Sequence, residues 1–437
     1  MASNTTVSAN TITKWGPIQL LSGISKKNMT IYVIGSAFMM IFSTFVPQAQ
    51  PFILTEILHI PADQQGQLSG YLGFAHTLVG LIMPGVWGAI SDKTGRRIVY
   101  AIGFLITAIG VAIYPLAGSL VMLYLIRMLF ATGTNASMTM SNTLLGDYVD
   151  KKDRGKAYGI VAAAGGIGAL LTVFLFLRLP SIFQNAGFSA ANAGRYTFWI
   201  VALFGILAMS IVGFGLMGKT LRQSQEKRSV LLIAQEALRA ARDPRISLAY
   251  ATNFVSSSAI SVVGTFFTLW IVTYGTTQAG LTSAAALARA GMIIGISQLS
   301  TLIAAPIFGI LSDKIGRIQA VSLATGLTAI FFAATALISN PLSGMMILLG
   351  FLIGLVQISG VITGGALVAA QAPDSVRGAV MGFYGFCGAL GIMATFLISG
   401  FLFDHWIYQG PFILSAVCCA IVAVWGLLIK NKDKKGA

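Results

Sequence analysis

Charge is what this chain has least of. Asp, Glu, Lys and Arg make up 9% of its 437 residues, whereas an ordinary soluble domain carries about 25%. So little polar surface excludes a water-soluble fold of this length. Cysteine is nearly absent: Cys387, Cys418 and Cys419 fall inside apolar stretches, with no disulfide framework and no metal-site spacing. No metal and no cofactor is expected. Histidine is limited to His59, His76 and His405. An intramembrane enzyme would need a nucleophile–base pair or a metal cluster at depth, and neither is visible. No G-x-x-x-x-G-K-[ST] loop is found, so ATP is not expected to drive the protein. Residues 1–13 carry no basic segment, and the first apolar run is too long for the core of a cleavable signal peptide.

What is abundant is apolar sequence, 56% of the chain. Runs of about 18 or more apolar residues read as membrane-spanning helices, because about 20 residues cross the hydrocarbon core. The runs are continuous rather than alternating, so helices are expected and a β-barrel is not. Twelve spans are predicted, at about 29–55, 67–90, 97–117, 119–145, 156–178 and 196–218, then 246–274, 287–312, 318–338, 342–371, 376–402 and 408–430. The fold class is an all-α polytopic membrane protein. Residues 1–28 and 431–437 read as tails, 29–218 and 246–430 as two six-helix bundles, and 219–245 as a polar loop between them. Within that loop, about 229–242 is expected to form an amphipathic helix at the membrane surface.

Twelve spans place both termini on one side. Of the 28 basic residues, only Arg178, Arg195 and Arg289 fall in opposite loops, and Arg127 falls within a span. That asymmetry predicts cytoplasmic termini and a cytoplasmic central loop. It also accounts for the net charge of +15 without nucleic acid: the basic residues border spans, where they meet anionic headgroups. Short loops point to a bacterial inner (plasma) membrane.

The densest charged stretch, GAISDKTGRR at 88–97, occurs twice. GILSDKIGRI at 309–318 repeats its Gly, Ser, Asp, Lys, Gly and Arg 221 positions later. A second pair, RGKAYGIVAAAGGIG from Arg154 and RGAVMGFYGFCGALG from Arg377, matches at an offset of 223. Two independent matches at nearly one offset make the chain a six-helix unit used twice. Six is even, so the copies share one orientation, a parallel repeat.

The pattern Gly88-x-x-x-Asp92-Lys93-x-Gly95-Arg96-Arg97 resembles the signature of the major facilitator superfamily, in the loop between helices 2 and 3. Asp313, Lys314, Gly316 and Arg317 form the weaker copy between helices 8 and 9. The resemblance covers the whole chain and implies a transporter whose two halves rock about a central site. It further implies that the motif is a gate latch favouring the outward-open state. Independently, Gly88 and Gly95 permit close approach and a positive-φ turn, and Asp92 can pair with basic residues or cap a neighbouring helix. The bland alternative is a topology anchor, but an anchor needs no aspartate. Arg154 and Arg377 belong with this cytoplasmic set. The glycine ladders Gly159, Gly165, Gly168 and Gly382, Gly385, Gly388, Gly391 allow close packing. In this family helices 5 and 11 meet the opposite half, so the ladders could also let the halves slide; ordinary packing is the preferred reading. A family antiporter signature would include Gly-Pro in helix 5, and 165–168 reads GGIG.

Arg127 lies about eight residues into helix 4, roughly 12 Å deep by helical rise. Charge at such depth usually faces a bundle interior or a water-filled cavity. Asn135 and Asn142 share its helical stripe. The resemblance implies an arginine here within Arg-x-x-x-Gly, linked to proton coupling; this chain has Ala131 at the fourth place. Ser36 and Gln50 in helix 1, Asn253 in helix 7 and Gln357 in helix 10 complete a candidate cavity wall, each also able to serve as an interhelical tie. All 13 carboxylates lie outside the middle of a span, with Glu56, Asp147 and Asp404 near span ends. The cavity is therefore expected to be neutral to positive. His76 is the single near-neutral titrating group inside a span, with a coupling or a packing role open to it. The expectation is a monomeric secondary transporter moving a small organic solute, anionic or amphipathic, with a proton as candidate coupling ion. A proton-coupled multidrug or metabolite exporter, using Glu56 or Asp147, is the alternative within the class. A membrane sensor or scaffold on the same fold is the alternative outside it.

Overall fold

The computed structural model describes residues 13–217 and 230–435. Twelve helices in it are long and apolar enough to cross a membrane, and they follow the predicted spans. Spans 1 to 6 are Lys26–Glu56, Ala62–Thr94, Arg96–Leu116, Leu120–Tyr148, Arg154–Asn185 and Ala190–Gly215. Spans 7 to 12 are Pro244–Thr277, Ser283–Ile315, Arg317–Ala336, Gly344–Gln371, Arg377–His405 and Gly410–Ile429. Helix starts are written locally. Ser25 caps span 1 in a reciprocal capping box with Asn28. Ser119, Ser189 and Thr282 cap spans 4, 6 and 8 by accepting from the backbone N–H three residues on. Asp243 caps span 7 through the N–H of Arg245. Span 7 is interrupted by a π-helical turn at Val262–Phe267, and span 10 breaks at Ile358 between Gly344–Gln357 and Ser359–Gln371. Between the two sets of six, Val230–Ala240 is helical, as expected for the amphipathic segment; the rest of that loop up to residue 229 lies outside the described residues.

The sequence repeat is a structural repeat at the level of single residues. Gly95 (φ 96°, ψ 146°) separates spans 2 and 3, and Gly316 (φ 89°, ψ 146°) separates spans 8 and 9. That region of backbone space is essentially reserved for glycine. Arg154 donates from Nη2 to the Gly146 carbonyl at 2.8 Å, and Arg377 donates from Nη2 to the Ala369 carbonyl at 2.7 Å. Each arginine reaches back eight residues to satisfy an orphan carbonyl at the end of the preceding span.

Residues 13–25, expected as part of a tail, are folded. Lys14–Trp15 and Ile18–Gln19 pair as a small hairpin, and Leu20 bridges to Val149. The N–H of Gln19 donates to Asp153 Oδ2 at 2.9 Å, and the N–H of Asp150 donates to the Gln19 carbonyl at 3.1 Å. Ile18, Leu20 and Ile24 are buried beneath this strap, which stitches the amino-terminal segment to the loop between spans 4 and 5. The half-buried Asp153 carboxylate is held below the usual range, first by its hydrogen bond from Lys156 and then by the Gln19 N–H.

Within the first half, span 3 packs on spans 4 and 6, and span 1 on span 5; in the second, span 9 packs on span 12 and span 7 on spans 10 and 11. The halves meet where span 2 packs on span 11 and span 5 on span 8. Two faces can be distinguished: the near face carries both termini, and the far face lies opposite. At the far face the backbones touch. A Cβ on Gly70 would strike the Phe396 carbonyl, and one on Gly291 would sit 2.6 Å from the Val173 carbonyl. These contacts are twins, since Gly70 and Gly291 are 221 apart and Val173 and Phe396 are 223 apart. At the near-face ends of the same helices, Gly85, Gly88, Gly159, Gly382 and Gly385 have nothing within 4 Å of where a Cβ would stand. The molecule is shut at the far face and parted at the near face.

Candidate functional site

Arg127 is 3% exposed and belongs to the interior of the first half. Its guanidinium carbon lies 5.6 Å from the Phe130 ring centroid, and its Nε and Nη1 have no hydrogen-bond partner. No ion pair joins it to a carboxylate among the described residues. A buried cation without a counter-charge is costly. Gln50 stands in its shell, accepting from the Tyr114 hydroxyl at 3.3 Å and donating to Ser69 Oγ at 2.9 Å. His76 projects from span 2 toward the same Phe130 ring at 5.8 Å, and its Nδ1 is buried without a partner. His76 and Tyr114 both lie close enough to interact electrostatically with Arg127.

A separate cavity lies between spans 2 and 4, nearer the near face. About two and four turns along span 4 from Arg127, Asn135 and Asn142 line a cavity of about 390 Å³ with Gly80, Pro84, Met138 and Thr143. Asn135 donates from Nδ2 to the Ala131 carbonyl at 2.8 Å, which leaves its Oδ1 facing Gly80. The structure thus brings Arg127 and His76 together about Phe130 and links Gln50 to Tyr114, while Asn135 and Asn142 line a separate cavity between spans 2 and 4. Ser69 and Tyr114 join them, although neither was singled out from sequence; a hydroxyl at a span end gives no signal of its partner.

Three other candidates are used as ties between helices. Ser36 donates to the Tyr32 carbonyl at 3.0 Å and lies 3.4 Å from Ser141 Oγ. Asn253 donates to the Tyr384 carbonyl at 2.7 Å while accepting from Ser257. Gln357 donates to Thr301 Oγ1 at 2.6 Å. The deeper members of the glycine ladders pack inside each half: Gly168 meets the Ala37 backbone of span 1, and Gly388 and Gly391 meet Asn253 and Phe254 of span 7. Packing accounts for these, whereas Gly159, Gly382 and Gly385 face open space.

In the charged loop, Asp92 pairs with Arg96 at 2.7 Å, and Arg96 also lies 3.5 Å from Asp147 at the end of span 4. Arg96 further donates to Ser91 Oγ. All of these partners belong to the first half, so the motif does not bridge the halves in this conformation. Lys93 and Arg97 take no part in these pairs, and Asp313, Lys314 and Arg317 form no ion pair among the described residues. Arg377 makes an exposed pair with Asp374 at 3.4 Å.

Comparison with known proteins places this geometry. The chain is 27% identical over 422 residues to magnetosome protein MamH of Paramagnetospirillum magneticum, covering 94% of each. It is 23% identical over 406 residues to the multi-drug resistance efflux pump PmrA of Streptococcus pneumoniae, covering 89% of this chain and 94% of that one. Among solved structures, a point mutant of the nucleoside transporter NupG superposes with a TM-score of 0.75 at 14% identity, over 92% of this chain and 99% of that one. A bacterial homologue of the human lysosomal transporter Spinster, in an inward-facing, unoccupied conformation, gives 0.65 at 17% identity, over 92% and 95%. The model of the Major Facilitator Superfamily matches residues 31–297 and 285–437. With its twinned six-helix halves, its repeated charged loop and a family match spanning nearly every helix, the chain belongs to the Major Facilitator Superfamily, and it is a membrane transporter rather than an enzyme.

Proposed function

We propose that this protein is a secondary active transporter for a small organic anion, working by alternating access with Arg127 as the charge partner. One observation carries the reading: Arg127 is deeply buried, two of its nitrogens lack partners, and no carboxylate pairs with it. An anion entering the groove between spans 2 and 4 gains a charge-assisted hydrogen bond there and removes an uncompensated charge. Tyr114 and His76 lie beside the guanidinium, Gln50 holds Tyr114, and in this reading Asn135 and Asn142 supply polar contacts on the approach. With the termini in the cytoplasm of a bacterial inner membrane, the near face is cytoplasmic and the structure is inward-open. A monomer suffices, because the two halves of one chain enclose the path.

The exporter reading has less support. Its carboxylate candidate at the near face, Asp147, is engaged by Arg96 rather than free at depth. The relatives named for efflux are 23% identical or less in the stretches compared.

Thermal unfolding of the purified protein against organic anions and cations separates the readings. A ligand at about 100 times its Kd stabilises by about 2.7 kcal/mol. Stabilisation by carboxylates that disappears in Arg127→Ala is the expected result. Stabilisation by cations alone would overturn the anion reading.

A further inference from the structure

Span 2 lacks a cap of its own. It opens with a 3-10 turn at Ala62–Gln64, and Gln64, the N-cap of the α-helix Gln65–Thr94 that follows, makes no side-chain cap hydrogen bond, although the first N–H groups of any helix need an acceptor. The acceptor comes from the other half of the molecule. Asp404, at the far-face end of span 11, receives the N–H of Gly66 on Oδ1 at 2.8 Å and the N–H of Gln67 on Oδ2 at 2.6 Å. Both oxygens are used, so the carboxylate is matched to the positive end of the helix. Among the described residues, these are the only hydrogen bonds that join the halves. Neither can survive if spans 2 and 11 separate at the far face.

We infer that Asp404 is a proton-binding site that controls opening of the far face. A carboxylate accepts with both oxygens, whereas a carboxylic acid carries a hydrogen on one of them and surrenders one of the two acceptor positions. Protonation of Asp404 therefore loosens the tie between the halves, and closure of the far face favours release of the proton. Two titratable neighbours, Asp63 and His405, lie near enough to act on Asp404 electrostatically. Asp63, in the turn ahead of span 2, is of like sign and exposed. His405 is stacked on Phe401 at 4.6 Å, and Tyr408 packs on Phe403. The π-helical turn of span 7 and span 12 contribute no Asp, Glu, His, Lys or Arg at this end. Gly66 fits the same purpose, since a Cβ there would collide with the Asp404 carboxylate. This inference rests on the alternating-access reading but not on the anion preference.

The test reads distances across the far face without any substrate. Spin labels at Leu120→Cys and Ser339→Cys, on exposed far-face positions of the two halves, would be measured in lipid nanodiscs with the three native cysteines replaced by alanine. As pH is lowered from neutral to mildly acidic, a longer-distance population should grow in the otherwise native protein. Asp404→Asn should show that population at both pH values, about tenfold above the native level at neutral pH. Gln67→Pro removes one donor in the first helical turn, where proline is tolerated, and should raise the same population while Asp404 stays intact. A pH response that persists unchanged in Asp404→Asn, that is absent from the native protein, or that is lost in Asp63→Asn instead would overturn the proposal. The anion-dependent thermal shift is a separate readout, so failure of the gate and failure of the anion site are told apart.

Discussion

Single residues in this chain carry charges and backbone angles whose costs have opposite signs. Arg127 is a buried cation held without a counter-ion. Replacing such a group with an apolar side chain of similar volume is often neutral or stabilising by about 1–4 kcal/mol. Arg127→Met should therefore hold or raise the unfolding temperature of the ligand-free protein while removing its response to carboxylates. A lowered temperature would mean that Arg127 has a protein partner after all. Gly95 and Gly316 are the reverse case. Their φ values of 96° and 89° with ψ of 146° suit glycine, so Gly95→Ala and Gly316→Ala should each cost about 1–3 kcal/mol in thermal unfolding. Gly88 and Gly309, from the same motif, face open space, and alanine there should change stability by less than about 0.5 kcal/mol.

Elements were legible in the sequence to the extent that one helix alone decides them. Span length answers to the thickness of the hydrocarbon core, so the twelve spans could be placed from apolar runs. The repeat could be read because Arg154 and Arg377 perform one local task, each capping the helix before it. Beyond the meeting of spans 5 and 11 with the opposite half, which the resemblance implied and the packing bears out, partnerships between particular side chains were not legible. Ser36, Asn253 and Gln357 have the composition of a cavity wall, and only the packing of spans 4, 11 and 8 against them turns them into ties. The hairpin at Lys14–Gln19 depends on a loop more than a hundred residues away. Its hold on that loop is pH-dependent in a defined direction. Asp153 is held below the ordinary carboxylate range in the folded state, so its contribution is fully present above the unfolded value and is lost as pH falls through the folded one. The protection of the Gln19 amide against exchange, relative to its unstructured rate at the same pH, should be high at neutral pH and fall in acid; Asp153→Asn should make it low throughout. The far-face seam gives a second element-scale expectation. Gly291→Ala places a methyl 2.6 Å from the Val173 carbonyl, which should pry spans 5 and 8 apart and lengthen far-face spin-label distances.

The whole molecule is caught in one of the two arrangements that alternating access requires. In it Asp92 is occupied by Arg96, inside its own half, while the near face is parted. If the motif is the latch that the family resemblance implies, Asp92 changes partners when the near face closes. Asp92→Asn should then leave the protein inserted and folded but slow its transport, with near-face spin-label distances shifted toward the parted state. Unchanged transport would reduce the motif to an anchor for topology. The twinned seams at the far face are alike in their glycines, but only one has the tie. The positions that would repeat Gly66 and Asp404 on the other seam are Leu287 and Ser181, and neither can reproduce a carboxylate on a helix end. A door fastened along one jamb does not swing evenly. Separation should begin at spans 5 and 8, where only shape holds the surfaces together, and finish abruptly at spans 2 and 11. A solute leaving by the far side would then pass first along the edge that carries arginines, Arg178 and Arg289, and no carboxylate.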